Sequence, residues 1–194
     1  TATHSLSGAL AFTDVDLSDI ETSSISNTKV VATLANGYTL SAAQQSALVN
    51  AFTIDAATHS PADGTGSIGW HYNINDSALD FLGAHDQVVL TFTVQVADGN
   101  GGFATQDVKI TVLGAEDAPV ITSGLQSGSV GHGTTTTHSL SGAVTFTDVD
   151  LSDIETSAIS NTQVVATLAN GATLSAVQQS ALVNAFTIDA ATHS

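Results

Sequence analysis

The chain has 194 residues, of which 18 are Asp or Glu and only 2 are Lys or Arg, giving a formal net charge of −16 with His neutral. Lys29 and Lys109 cannot neutralise a useful run of phosphates or hold the chain on anionic lipid, which excludes nucleic-acid binding and membrane-surface docking. Hydrophobic residues make up 42% of the chain, enough apolar surface to fold despite the charge.

Taken in chain order, the elements are mostly strands. Leu6–Thr13 and Thr28–Leu34 read as weak strands. Ser41-Ala-Ala-Gln44 has the form of a capping box and opens a helix-favouring run, so a short helix is expected over Ala42–Asn50, crossing between strands and sealing one end of the core. Phe52–Ala56 follows as a further weak strand.

From Ile68 through Trp70 and Tyr72 to Ile74 the even positions are apolar and the odd ones small or polar, the period of a half-buried strand. This places Trp70 and Tyr72 in a core rather than on a carbohydrate platform. Leu90–Val96 and Val108–Val112 repeat the alternation, with Asp98-Gly-Asn-Gly-Gly102 between them as a hairpin signal. Glu116-Asp117-Ala118-Pro119 is a stiff linker, because Pro fixes its own φ and keeps Ala118 extended. Pro119–Ser123 starts the next strand. Many short strands separated by turns predict an all-β chain, a β-sandwich with one short crossover helix.

Residues 1–60 return at 135–194 with 53 of 60 positions identical, a shift of 134. Tandem copies this close indicate an array, typically a spacer, scaffold or multivalent surface. The domain reading is a nearly complete repeat over 1–116 and the first part of the next over 117–194. Residues 61–134 occur once, so two first halves share one second half. A lone half should bury too little to stay ordered, and the expectation is a window on a longer array.

Counting strand reversals from the linker brings three loops to one end of a repeat. They are the Thr-Asp-Val-Asp loop (Asp14 and Asp16, copied as Asp148 and Asp150), the hairpin with Asp98 and Asn100, and the linker with Glu116 and Asp117. Clustered carboxylates repel unless a cation intervenes, and with two basic residues salt bridges cannot compensate. Ca²⁺ fits such a set, since it accepts about six to eight oxygen ligands in flexible geometry. The competing reading is that short acidic loops only cap strands and solvate the surface.

Three stretches carry a family resemblance. They are Gly66-Ser-Ile-Gly-Trp-His-Tyr-Asn-Ile-Asn-Asp-Ser-Ala-Leu-Asp-Phe-Leu82, Val89-Leu-Thr-Phe-Thr-Val-Gln-Val-Ala-Asp-Gly-Asn-Gly-Gly102 and Asp117-Ala-Pro-Val-Ile121. Together they resemble the VCBS repeats, cadherin-like, immunoglobulin-type modules of giant secreted bacterial adhesins often exported with RTX proteins. The resemblance implies a seven-strand sandwich repeated along a fibre at the cell surface, with Ca²⁺ stiffening the junctions in support of adhesion and biofilm formation. It implies ligand sets of Asp98 with Asp14 and Asp16, and of Glu116 and Asp117 with Asp148 and Asp150. The linker departs from the family in having Glu116 where Asn is common, and no RTX nonapeptide occurs. The partners implied are neighbouring repeats and an extracellular surface or polysaccharide, outside the cell and without membrane insertion.

The alternative is a repeat that itself binds glycan, ice or another cell, with Thr134–Thr137 as its candidate face. Tyr38, replaced by Ala172 in the copy, is expected at the surface. No nucleophile elbow or phosphate loop is present, and an enzyme is not expected. The seven His residues lack metal-ligand spacing and are read as solvated.

Overall fold

The computed structural model describes residues 2–132, 137–169 and 171–192. Its elements in chain order are β1 (Thr3–Thr13), β2 (Thr22–Thr33), α1 (Ala42–Asn50), β3 (Phe52–Ile54), β4 (Thr58–His59), β5 (Thr65–Asn75), β6 (Gln87–Ala97) and β7 (Phe103–Leu113). Then follow β8 (Val120–Ile121), β9 (Phe146–Thr147) and α2 (Ala176–Asn184). The all-β expectation holds, with two helices of nine residues each. Of the proposed Thr134–Thr137 face, only Thr137 lies within the described residues, and His193 lies outside them. No described helix is long and apolar enough to cross a membrane.

All three sheets are antiparallel. β5 is the hub of the first, pairing with β1, β3 and β4; the second has the order β2-β6-β7, and β8 pairs with β9. The alternation read from the sequence sends Ile68, Tyr72 and Ile74 of β5 into one core. Val88, Leu90, Phe92 and Val94 of β6 meet them there, with Val108, Ile110 and Val112 of β7. Trp70 packs at its margin. The first two sheets thus share a single apolar interior, and the Phe52 and Phe92 rings stack across it at 4.0 Å and 9°.

α1 forms where expected, with Ser41 Oγ accepting from Gln44 N–H and the Gln44 side chain accepting from Ser41 N–H. It carries the chain from β2 in one sheet to β3 in the other and buries Leu48. Tyr38 is half-buried rather than at the surface, because its hydroxyl meets the Gln44 amide of that same capping box.

Tyr72 is buried and its hydroxyl has no hydrogen-bond partner. Burial pushes its pKa up to about 12. In the unfolded chain the phenol ionises near about 10, so unfolding gains free energy from deprotonation before the native state can. Stability is therefore full below about pH 10 and is lost as pH rises toward 12. Tyr72→Phe should raise stability near neutrality by about 1 kcal/mol, by removing an unpaired buried hydroxyl, and should flatten the alkaline loss. Denaturant titrations at pH 8 and pH 11 check both effects.

The chain divides into two compact units, 1–153 and 154–194. α2 repeats α1 with its own capping box at Ser175 and Gln178. The strands do not repeat. Residues 156–167, the copy of β2, form no strand, and of 137–147, the copy of β1, only Phe146–Thr147 pairs. The reason lies in the pairing: β1 and β3 pair with β5, and β2 pairs with β6, both from the part of the sequence that occurs once.

Candidate metal centre

The Thr-Asp-Val-Asp loops fold locally and alike in both copies. Asp16 N–H donates to Asp14 Oδ1 at 2.9 Å, and Asp19 N–H to the Asp16 carbonyl at 2.9 Å. In the copy, Asp150 N–H donates to Asp148 Oδ1 at 3.0 Å, and Asp153 N–H to the Asp150 carbonyl at 3.1 Å. An Asp accepting from the backbone two residues on is the Asx turn such sequences favour. The hairpin is organised in the same way, with Asp98 Oδ1 accepting from Asn100 N–H at 2.7 Å and from Gly102 N–H at 3.0 Å. Gly99 and Gly101 take the positive φ values, 79° and 111°, that the turn requires.

Two carboxylate groups result. Asp14, Asp19 and Asp98 each bring a carboxylate oxygen within 4.8 Å of the others, all three half-buried. Asn100 Nδ2 donates to Asp19 Oδ2 at 2.8 Å and ties the hairpin to the acidic loop. Glu116, Asp150 and Asp153 form the second group by the same measure. The two stand apart, because the hairpin and Glu116 flank opposite ends of β7, whose 11 residues span about 35 Å.

The first group brings together Asp14 and Asp98, and the second Glu116 and Asp150. The other expected residues act through different atoms. Asp16 contributes its backbone, Asn100 its amide, Asp148 the Oδ1 that holds the Asp150 turn, and Asp117 an N–H that donates to Asp150 Oδ2 at 2.7 Å. Sequence reading missed Asp19 and Asp153, the third acid of each Asp-Val-Asp-Leu-Ser-Asp run. Their signal was the repeat of that whole run rather than of its first two acids.

The two copies of this loop differ in burial. Asp16 and Ser18 are exposed, whereas Asp150 is 0% exposed and Ser152 is buried. What covers the second copy is a seat built around Asp86, which sequence reading also missed. Buried Asp86 accepts from Ala35 N–H at 2.8 Å, from Gly83 N–H at 3.2 Å and from Ser152 Oγ at 2.7 Å. Asn36 Nδ2 donates to the Ser152 carbonyl as well. A Cβ on Gly83 would come 2.7 Å from Asp153 Oδ1 and 3.2 Å from Ser152 Oγ, so a side chain there would push the Asp153 carboxylate aside.

Asp150 is left in an unusual state. Its Oδ2 is paired with Asp117, but Oδ1 is buried with no hydrogen-bond partner. Burial raises its carboxyl above the ordinary range, the Asp117 N–H opposes the shift, and the charges of Asp117, Asp153 and Asp148 add to it. A buried carboxyl with one orphaned oxygen, grouped with two further carboxylates, offers the oxygen donors that a hard divalent cation takes.

Among the described histidines, His4, His85, His132 and His138 are exposed, and three histidines have acidic neighbours. His4 lies 2.8 Å from Asp76 and His71 lies 3.2 Å from Asp55, both partly exposed, while His59 is buried 3.0 Å from Glu21. No protein-family model, curated protein or solved structure matches the chain.

Proposed function

We propose that this chain is a structural extender repeat of a secreted bacterial adhesin or fibre, an immunoglobulin- or cadherin-like sandwich of the VCBS type, whose junctions are stiffened by Ca²⁺. The observation that carries this reading is the buried Asp150 carboxyl, grouped with the carboxylates of Glu116 and Asp153 and with its Oδ1 unpartnered. In a chain with 2 basic residues, a cation is the available compensation for that cluster.

Each of the two groups uses the same loop: Asp19 of the first and Asp153 of the second are one position 134 residues apart, joined by Asp14 in the first and by Asp150 in the second. One group adds the hairpin acid Asp98 and the other adds the linker acid Glu116. On this reading, a complete junction gathers carboxylates from linker, loop and hairpin around the ion. Bound Ca²⁺ supplies charge compensation and ties the linker to the loop; Asp86, Asn36 and Gly83 hold the loop in register for it.

The test is calcium titration of the whole chain by calorimetry, with thermal unfolding and solution scattering run with and without chelator. Binding is expected at about 10⁻⁴–10⁻³ M, the range of extracellular modules. A tenfold excess over Kd should add about 1.4 kcal/mol and raise the unfolding temperature by a few degrees. The maximum dimension should lengthen. Absence of heat and of any thermal shift at about 10 mM Ca²⁺, some tenfold above that range, would defeat the metal site. Binding without a change in dimension would defeat the stiffening.

A further inference from the structure

β7 stands at the end of its sheet. Among the described residues it pairs only with β6, so the backbone groups along the far side of its 11 residues are left unpaired. A long bare edge is a template for another strand. The other long edges differ from it. β2 breaks its register at Ser26, and β1 has no Lys, Asp or Glu to fix one. β7 is unbroken and carries both signs of charge. Val108, Ile110 and Val112 are buried, whereas Asp107, Lys109 and Thr111 are exposed on the opposite face. Phe103 and Leu113, at the two ends of that outward face, are 69% and 66% exposed. Lys109 has no ion pair among the described residues, and Asp107 is held through Oδ1 alone, by Thr93 Oγ1 at 2.7 Å.

We infer that β7 is a self-association edge, along which two copies of this chain pair antiparallel about a twofold axis at Val108. The second sheet of one copy then continues into that of the other. Backbone hydrogen bonds supply affinity, as in any strand addition. The outward side chains select the register. With the axis at Val108, Phe103 faces Leu113 of the second copy, Thr105 faces Thr111 and Asp107 faces Lys109, each pair occurring twice by symmetry. The buried face stays on the buried side, because this pairing preserves the alternation of the strand. Moving the axis by one residue, to Asp107 or to Lys109, sets like charges opposite one another.

A lysine on an edge strand ordinarily deters pairing. Here an acid two positions away on the same face cancels it, and only under a twofold. The occupant is therefore a second copy, since the complement of each outward residue lies in the strand itself. The inference does not depend on the metal reading, and chelator is present throughout its test.

The test is sedimentation equilibrium of the full chain at about 0.15 M salt, with amide exchange followed across the concentration series. The net charge of −16 opposes association at long range, but beyond about 8 Å such repulsion is screened at this ionic strength. A reversible dimer is expected with Kd between about 1 μM and 1 mM, and with protection over 103–113 that grows with concentration. Lys109→Asp and Asp107→Lys should each weaken it at least about tenfold, because each sets like charges opposite one another twice. Mixed together, the two variants should associate as a heterodimer close to the parent in strength, since each supplies the charge that the other repels. Both positions are exposed, so the fold tolerates the exchange. A chain that stays monomeric up to about 1 mM overturns the inference. So does a dimer protected over 3–13 in place of 103–113, or one indifferent to both charge reversals. Failure of the mixed variants to associate overturns it equally.

Discussion

Phe52→Ala is expected to cost about 3–5 kcal/mol of unfolding free energy, and Phe186→Ala less than about 0.5 kcal/mol. The two residues stand at the same position of nearly identical segments. Phe52 fills the interface between two sheets, stacked on Phe92, and its loss would leave a cavity walled by Phe92, Trp70 and Leu48. Phe186 is 62% exposed, so its truncation removes little that folding had buried. Urea unfolding followed by far-ultraviolet circular dichroism reads both variants on one scale; Trp70 fluorescence, confined to the first unit, should respond only to Phe52→Ala. Equal losses would show that the second unit carries a closed core of its own.

The two buried carboxylates at the repeat junction should respond in opposite directions. Asp86 is fully used, with three donors from loops 51 and 66 residues away and from its own turn. Asp86→Ala strands the Ala35 and Gly83 amides and frees the Ser152 loop, for an expected loss of about 3–5 kcal/mol at roughly 1–3 kcal/mol per abandoned group. Asp150, by contrast, has an orphan oxygen and three like charges around it. Asp150→Asn should therefore raise stability by roughly 1 kcal/mol in chelator, and should abolish the gain proposed for Ca²⁺ binding to the parent chain.

The pH dependence of Asp150 carries a definite sign. Its folded pKa is raised, so the native state binds the proton more tightly than the unfolded chain does. The parent chain in chelator should lose stability relative to Asp150→Asn as pH rises from the ordinary carboxylate value through the raised one, and bound cation should cancel that loss. Paired denaturation curves across this range, with and without Ca²⁺, measure it. A calcium increment that survives Asp150→Asn would remove Asp150 from the site.

Much of the site was legible because its turns are local. The Asp-Val-Asp loop and the Asp98 hairpin each close with hydrogen bonds two to four residues apart, so both turns can be read from residue spacing. Asp86 had no such signal. A single acid after a Gly-Ala-His stretch says nothing of donors at Ala35 and Ser152, which only the fold brings to it. His59 was misread for the same reason, since the Glu21 that buries beside it lies 38 residues earlier.

The repeat itself separates local from tertiary control. The capping-box helix appears at 42–50 and again at 176–184, because its hydrogen bonds join residues three and four apart and need nothing beyond the segment. The Asx turns recur for the same reason. The strands of 1–60 do not recur in the described part of 135–194, apart from Phe146–Thr147, although the residues are nearly the same. A strand leaves its backbone groups unpaired until another strand arrives, and here the arriving strands are β5 and β6 from the part that occurs once. Composition, periodicity and turn chemistry determined which residues can form this fold; whether they do so in a given copy was decided by the presence of their distant partners.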